Sequence, residues 1–227
     1  MTDARSTLFA SIRKSLGVTG AEPARRAAVA ERLGMHPRGV IPARGQLPPA
    51  ERLKLFAQMV EAAAGTAELL PDASHVPGAV AALLRRHNLP MQIRRGDDPR
   101  LAALPWNGER TLEVTTGASD GHQLASVSHA FAGVAETGTL VMASGTDNPT
   151  TLNFLPDTHI VVVDAKDVAG DYESVWARVR EKFGIEALPR AINLITGPSR
   201  SADIAQILIL GAHGPRRLHV LVVGRPD

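Results

Sequence analysis

One short segment of the sequence groups a carboxylate with two hydroxyls: Glu136-Thr137-Gly138-Thr139, which leads directly into an apolar run. A glutamate at the entrance of a strand can act as a base, as a nucleophile or as the acceptor for a ligand hydroxyl, and the glycine lets the backbone approach a ligand closely. The same residues also fit a tight turn in which Glu136 only accepts hydrogen bonds from nearby backbone N–H groups. From the spacing alone the two interpretations are evenly balanced.

A second segment, Thr196-Gly197-Pro198-Ser199-Arg200, links a predicted strand to a helix predicted over Ser201–Leu210. The free amides of a helix's first turn, the positive end of its dipole and the Arg200 guanidinium would together bind a carboxylate or a phosphate. Asp203 in the first turn opposes an anion. A plain helix cap formed by Ser199 or Ser201 is therefore the slightly favoured alternative.

A third segment, Gly211-Ala212-His213-Gly214-Pro215, ends the same predicted helix. Both glycines suit left-handed backbone, and a histidine near the negative end of a helix dipole is stabilised when protonated. The segment is mainly typical of a helix cap. Its functional alternative places the titratable imidazole of His213 on a rigid turn.

Other catalytic signatures are absent or weak. No two glycines are separated by one residue and no lysine follows a glycine, which excludes the dinucleotide fingerprint and the P-loop. The segment Gly117–Gly121 matches the pattern G-x-S-x-G, but this pattern is loose, and a polar loop is favoured over a Ser119 hydrolase. His122 and His129 could share a helix face, yet no third ligand lies near them, so no metal site is predicted.

The composition is that of a soluble globular chain. Of 227 residues 44% are hydrophobic and none is cysteine, which excludes disulfides, thiol nucleophiles and an iron–sulfur cluster held by this chain alone. No apolar run is long enough for a membrane span, and no signal peptide is recognisable, so the expected location is cytoplasmic. The first half is basic but lacks the interleaved aromatics of a stacking platform, and nucleic acid is therefore the weakest alternative.

The elements that must position these residues follow from periodicity and turn signals. Residues 3–16 predict an amphipathic helix, and residues 18–47 predict an extended basic arm with at most one short helix. A helix from Pro48 to about Ala64 follows. Further strands are predicted at 66–70, 91–95, 111–115, 139–143, 159–164, 191–196 and 218–223, and helices at 77–87, from about 123, at 172–183 and at 201–210. The alternation indicates an α/β domain with three layers, a mostly parallel sheet and helices on both faces, over residues 48–227, with residues 1–47 as an N-terminal helix and arm.

Four motifs in a shared order carry a resemblance to a known family. These are the segments that begin at Glu136 (ETGTLV), Leu155 (LPDTHIVVV), Ile195 (ITGPSRSADI) and Gly211 (GAHGP). Together, over roughly residues 50–223, the chain resembles the LUD domain, and more specifically the lactate-utilisation protein C family. Many relatives have an arginine between the first two motifs, whereas this chain has none there, so Arg200 is the candidate cation.

The resemblance implies a fold like that of the glucosamine-6-phosphate isomerase, ribose-5-phosphate isomerase and coenzyme A transferase superfamily. It also implies a part in the oxidation of L-lactate to pyruvate, alongside partner proteins that carry the cysteine-rich and iron–sulfur components. In several enzymes of that superfamily a glutamate near the carboxyl edge of the sheet does the chemistry, which favours Glu136 as a catalytic residue. Whether this subunit is itself an enzyme stays open.

Two hypotheses of different class follow. In the first, the chain binds a small anionic ligand where its motifs meet at the carboxyl edge of the sheet. Glu136 would then be catalytic, no metal or cofactor would be needed, and the ligand would contact Thr137, Gly138, Thr139, Thr196, Gly197, Ser199, Arg200 and His213. In the second, the chain is a non-catalytic assembly subunit that holds its iron–sulfur partners through the basic arm.

Overall fold

The computed structural model describes residues 3–184, 187–201, 209–211 and 213–225. The chain forms two compact units, with the division between Ile41 and Pro42. Among the described residues, no helix is both long and apolar enough to cross a membrane.

The first unit contains two helices, α1 (Ala4–Leu16) and α2 (Pro23–Met35). The Asp3 carboxylate accepts a hydrogen bond from the Arg5 amide at the start of α1, and Gly17 ends the helix at φ +64°, as its sequence predicts. The 13 residues of α2 occupy less than half of the predicted arm, residues 18–47, and form a longer helix than the short one allowed there. Its run of alanine, arginine and leucine has high helix propensity, and Pro23 suits the first turn, which outweighs the glycines and prolines around it.

The second unit is an α/β structure. Its helices are α3 (Pro49–Ala62), α4 (Val76–Arg86), the single-turn α5 (Pro99–Ala102) and α6 (Thr151–Phe154), and α7 (Tyr172–Phe183). Its strands are β1 (Thr66–Leu70), β2 (Gln92–Arg95), β3 (Glu113–Thr116), β4 (Ala125–His129), β5 (Ala132–Val134), β6 (Thr139–Ala143), β7 (Thr158–Asp164), β8 (Val168–Ala169), β9 (Ile192–Ile195), β10 (Arg200–Ser201), β11 (Ile209–Leu210) and β12 (Arg217–Val223).

Gly45 and Gln46 lie in the second unit, before α3. The α-carbon of Gly45 packs on the backbone of Gly170 so closely that a β-carbon there would come within 2.1 Å of the Gly170 carbonyl oxygen. The Gln46 amide donates to the Asp171 carboxylate over 2.9 Å. The predicted division of the chain into domains 1–47 and 48–227 stays a prediction.

Six strands form a fully parallel sheet in the order β1-β12-β7-β4-β2-β3. Side chains alternate along its central strands: Ile160 and Val162 of β7 pack with α4, whereas Val161 and Val163 pack with α3 on the other face. A strand that is buried on both faces carries a continuous apolar run, as β7 does over Ile160–Val163. The predicted α/β class with helices on both faces is confirmed.

A second sheet adds a layer that the sequence did not predict. Its order is β8-β5-β6-β9, and β6 pairs antiparallel with both β5 and β9. One face of β6 packs against α3 and the parallel sheet, and the other face packs against α7. The apolar runs that were assigned to one mostly parallel sheet therefore belong to two sheets.

Two predicted helices are corrected. The helix predicted from about residue 123 is strand β4, whose five residues are all buried, with the Ser126 hydroxyl donating to the Leu152 carbonyl over 2.7 Å. The first and last residues of the helix predicted at Ser201–Leu210 belong to strands instead, because β10 and β11 pair antiparallel there. Its middle, residues 202–208, lies outside the described residues.

Candidate functional site

Five of the predicted ligand-binding residues line one cavity of about 290 Å³. They are Thr196, Gly197, Ser199, Arg200 and His213. The other walls come from the end of α6, the starts of β7 and β12, the end of β9 and the segment after residue 213, and consist of Asn153, Phe154, His159, Leu194, Ile195, Pro198, Gly214, Pro215 and Leu218. We call this space the amino-edge cavity.

The cavity lies at the opposite edge of the parallel sheet from the one predicted. His159 is the second residue of β7 and Leu218 is the second residue of β12, so both mark the amino ends of their strands. The prediction of the carboxyl edge was wrong because it placed Ile192–Ile195 in the parallel sheet. This strand instead pairs antiparallel with β6 in the second sheet, which directs the segment after it to the amino edge.

Hydrogen bonds hold the cavity wall around Ser199 and Arg200 in place. The Ser199 amide donates to the Pro215 carbonyl over 2.9 Å, and the Ser199 carbonyl accepts from the Gly211 amide over 2.8 Å. The Arg200 guanidinium donates through Nη2 to the carbonyl of Ala63, at the end of α3. An arginine offers five N–H donors, so this contact anchors the cation at the wall while using only one of them.

Two buried polar side chains in the cavity wall have nitrogen atoms without hydrogen-bond partners among the described residues. His159 has no exposed surface and neither of its ring nitrogens is paired; Asn153 is 1% exposed and its Nδ2 is unpaired. Burial lowers the pKa of His159 to about 3, so the imidazole is neutral and offers one donor and one acceptor. A buried polar group without a partner costs about 1–3 kcal/mol, which indicates that a water molecule or a ligand completes these bonds.

Sequence reasoning missed both His159 and Asn153. The only available signal for His159 was a histidine inside a strand that is otherwise apolar, and Asn153 lay in a short segment with no motif. The sequence could not show that α6 and β7 would bring these two side chains to the same cavity as Arg200.

Glu136 does not line the cavity. Its side chain is 4% exposed, and its Oε1 accepts a hydrogen bond of 3.4 Å from the amide of Tyr172, the first residue of α7. Its own amide donates to the Gly170 carbonyl over 3.2 Å. The carboxylate therefore stands at the positive end of a helix dipole, with Oε2 buried and unpaired among the described residues.

A network of hydroxyls connects the Glu136 segment to the cavity. The Thr139 hydroxyl lies 2.7 Å from each of the hydroxyls of Thr137, Thr196 and Tyr172, and the Thr137 and Tyr172 hydroxyls are 3.0 Å apart. Thr196 is a wall residue of the cavity. The two predicted segments are thus neighbours through the Thr139–Thr196 contact, although only the second one reaches the cavity.

The glycines of both segments are required by close packing on α3. A β-carbon on Gly138, at φ +67°, would lie 2.4 Å from the Val60 amide nitrogen, and one on Gly197, at φ +77°, would lie 2.1 Å from the Ala63 carbonyl oxygen. No side chain fits such distances. The close approach that the sequence assigned to a ligand at Gly138 is made by the helix backbone.

The remaining sequence candidates occupy different surroundings. Ser119 is 5% exposed, its hydroxyl donates to Gln123 Oε1 over 2.7 Å, and its amide donates to the Thr151 hydroxyl. It therefore sits in a polar loop between β3 and β4, as the favoured interpretation had it. Within the described part of the chain, no group of three or more histidine, aspartate or glutamate side chains is placed to hold a metal ion.

Comparison with known proteins identifies the family. The sequence pattern of the LUD domain matches residues 53–223, which is most of the chain. The chain belongs to the LUD-domain family.

Named relatives extend this assignment. Lactate utilization protein C from Geobacillus thermodenitrificans is 37% identical over 144 residues, which cover 56% of this chain and 60% of that protein. The same-named protein from Halalkalibacterium halodurans is 34% identical over 117 residues, covering 51% of this chain and 49% of that protein. The regions that match the LUD chain thus make up about half to three fifths of the length of these relatives.

A solved structure supports the same fold. The crystal structure of a DUF162 family protein from Deinococcus radiodurans is 26% identical to the LUD chain, with a TM-score of 0.55. The match covers 78% of this chain and 99% of that one. The α/β architecture described above is therefore one that another protein with recognisable sequence similarity adopts.

Proposed function

We propose that this LUD-domain protein acts in lactate utilisation and binds a short hydroxy acid, L-lactate in the first place, in the amino-edge cavity. The names of its relatives support the process, and the cavity supports the ligand class. One observation carries the proposal: the buried ring nitrogens of His159 and the buried Nδ2 of Asn153, which have no partners among the described residues, share a cavity with the Arg200 guanidinium.

The chemistry of the walls matches the parts of a hydroxy acid. The carboxylate would pair with Arg200, for which a charge-assisted hydrogen bond is the strongest available contact. The hydroxyl, which both donates and accepts, would complete the bonds of neutral His159 and of Asn153. The methyl group would face the apolar side chains of Phe154 and Leu194. A volume of about 290 Å³ lies at the small end of ligand sites, which favours a short acid.

The other predicted residues would support this site from behind. Thr139 holds Thr196 through its hydroxyl, and Ser199 and His213 lie in the wall with Arg200. In this proposal the iron–sulfur partners accept the electrons when L-lactate is oxidised to pyruvate, and the LUD chain positions the acid. Glu136 as a catalytic residue stays a prediction.

The alternative is a non-catalytic assembly subunit, and the first unit favours it. Helix α1 exposes four large apolar side chains beside basic ones: Leu8, Phe9, Ile12 and Leu16 are 42–62% exposed. Exposed apolar surface of this kind is typical of a contact face for another protein. The scaffold interpretation needs no ligand in the second unit.

Isothermal titration calorimetry with L-lactate and pyruvate, on the full chain, separates these alternatives. We expect binding, and we expect Arg200→Gln to raise the Kd for L-lactate at least tenfold, because a hydrogen bond to a charged group contributes about 1.5–3 kcal/mol. Arg190→Gln is the matched control, since Arg190 lies outside the cavity walls, and it should leave the Kd unchanged.

Circular dichroism at the titration temperature must show that Arg200→Gln is folded, since this side chain also binds the Ala63 carbonyl. If neither acid binds the wild-type chain, or if folded Arg200→Gln binds as tightly as wild type, the hydroxy-acid proposal is wrong. The scaffold function would then take its place.

A further inference from the structure

A second concave site lies at the other edge of the parallel sheet, where the strand order reverses. Strand β2 neighbours β3 on one side and β4 on the other, and from β4 the chain proceeds through β7 to β12 in the opposite direction. Such a switch point leaves a crevice between the carboxyl ends of β2 and β4, which is where open α/β sheets bind ligands. Asp98 and Arg100 follow β2, and His129 ends β4.

These residues line a cleft of about 460 Å³, which we call the switch-point cleft. Its further walls include Phe131, Asn148, Arg178, Lys182 and Phe183. It shares no wall residue with the amino-edge cavity. His159 and Asp164 stand at the two ends of β7, five residues apart, which is about 16 Å at the rise of a strand. One short acid cannot occupy both sites.

One cation of the cleft is fixed by a buried partner. Asp98 is 2% exposed and accepts two hydrogen bonds from the Arg100 side chain, 3.0 Å from Nε and 2.6 Å from Nη2. The Asp98 carboxylate also accepts from the Arg100 amide over 2.9 Å. This bidentate geometry holds the guanidinium at the rim of the cleft in one orientation.

Two buried side chains present hydrogen-bond acceptors in the cleft wall. His129 is 6% exposed, and its Nδ1 lies 2.9 Å from the Ala130 carbonyl, which assigns the ring proton to Nδ1 and leaves a lone pair on Nε2. Asn148 is 4% exposed; its Nδ2 donates to the Ala143 carbonyl, and its Oδ1 has no partner among the described residues. Both acceptors suit hydroxyl or amino groups of a ligand.

The protonation of His129 agrees with its role as an acceptor. Burial and the nearby Arg100 charge lower its pKa, against the opposing effects of the Ala130 carbonyl and the Asp164 and Asp98 carboxylates. Its Nε2 lies 3.8 Å from Asp164 Oδ2, and this carboxylate favours a proton on Nε2. Because burial and Arg100 outweigh it and the pKa is lowered, the ring is neutral at pH 7, with Nε2 as an acceptor.

The remaining walls combine positive charge with aromatic surface. Arg178 and Lys182 project from α7 on the same side as Phe183, whose ring centroid lies 5.7 Å from that of Phe131. Aromatic residues make up only 4% of the chain, yet two of them meet in this cleft. Apolar ring faces bind nucleobases by contact, and arginine with lysine binds phosphate.

We propose that the switch-point cleft binds a mononucleotide. Its phosphate would pair with Arg178 and Lys182, its base would lie against Phe131 and Phe183, and its ribose hydroxyls would reach the acceptors of His129 and Asn148. Asp147 and Asp167 also line the cleft, so the phosphate would have to contact Arg178 and Lys182 without approaching these two carboxylates. A volume of about 460 Å³ is within the range of cofactor sites. This site is independent of the hydroxy-acid proposal.

Calorimetric titration of the full chain with AMP, adenosine and inorganic phosphate tests the proposal. We expect a Kd below 1 mM for AMP, and values at least tenfold higher for adenosine and for phosphate, because each of these lacks one half of the contacts. Arg178→Gln should raise the Kd for AMP at least tenfold. Arg180→Gln, on the same helix but outside the cleft walls, should leave it unchanged.

Each contrary result is decisive. An absence of AMP binding overturns the site, and so does folded Arg178→Gln that binds AMP as tightly as wild type. If adenosine binds as tightly as AMP, the phosphate makes no contact, and if phosphate binds as tightly as AMP, the cleft is a simple anion site. Either result overturns the nucleotide assignment. Because Arg178 also donates to the Asp167 carbonyl over 3.3 Å, Lys182→Gln, at an exposed side chain, serves as a second variant with the same expected direction.

Discussion

The buried, unpaired imidazole of His159 makes a prediction about stability against pH. Burial lowers its pKa in the folded chain to about 3 from the ordinary value of 6.5. Between these two values the unfolded chain binds a proton at this site and the folded chain does not. The free energy of unfolding must therefore fall as the pH falls below about 6.5, and the loss is complete only near pH 3.

The size of the effect at pH 5 does not depend on the exact folded pKa, provided that it lies well below 5. The unfolded pKa is 1.5 units above that pH, and each unit corresponds to 1.36 kcal/mol, so His159 alone lowers the free energy of unfolding by about 2 kcal/mol at pH 5. His219, whose pKa burial lowers to about 4 with smaller contributions from Arg86 and His87, adds an effect of the same sign. Carboxylate groups make a separate contribution to the dependence of the free energy of unfolding on pH.

The variant His159→Gln isolates the His159 contribution, because the other titrating groups remain in both proteins. Urea unfolding followed by tryptophan fluorescence reports on the second unit alone, since Trp106 and Trp176 both lie there. We expect wild type to lose about 2 kcal/mol more than the variant between pH 7.5 and pH 5.0. Any packing cost of the glutamine enters at both pH values and cancels.

Equal losses in the two proteins would refute the reasoning, because they would mean that His159 is protonated in the folded chain or exposed to solvent. L-lactate at saturation should also stabilise wild type more than the variant at pH 7.5, by the linkage of binding to folding. If lactate stabilises both equally, His159 does not contact the acid, even where the pH result holds.

Two further predictions concern residues that position the sites. Gly138→Ala should lower the free energy of unfolding by about 2–4 kcal/mol, because the φ of Gly138 is +67° and the added β-carbon would overlap the Val60 amide. The control in the same urea experiment is Gly108→Ala, whose added β-carbon meets open space. Asp98→Asn should lower the free energy of unfolding by about 1–2 kcal/mol at pH 7, which is less than for a fully buried ion pair because Arg100 is half exposed. An unchanged urea midpoint would contradict the hydrogen bonds assigned to Asp98.

The parallel sheet was predictable because its strands β7 and β12 are buried on both faces. Strands β7 and β12 carry continuous apolar runs, Ile160–Val163 and Val220–Val223, because successive residues pack on opposite faces of the sheet: Val220 faces α3, while Leu221 and Val223 face α4. No polar alternation competes with that pattern. Strand β4 was missed for the opposite reason: its serines are buried through hydrogen bonds to Leu152 and Asn153, which local sequence does not reveal.

The candidate site was predictable in part, as a set of residues but not as a place. Ser199, Arg200 and His213 do share a cavity, because their segments are held together by the bond between Ser199 and Pro215. The predicted edge of the sheet was wrong because the sequence of a strand such as β9 does not show that the strand pairs antiparallel with its neighbour. The switch-point cleft was out of reach, since Asp98, His129 and Arg178 meet only through sheet topology.

Helix α7 is one physical connection between the two proposed sites. At its first residue Tyr172 bonds Thr139, which in turn bonds Thr196 in the wall of the amino-edge cavity; ten residues later, about 15 Å along the axis, Lys182 lines the switch-point cleft. Val175 and Val179 fix the helix on the second sheet between these ends. A packed helix moves as a unit, so a nucleotide that displaced α7 at one end would disturb the hydroxyl network at the other. By linkage, any effect of a bound nucleotide on lactate affinity would be matched by an equal effect of lactate on nucleotide affinity.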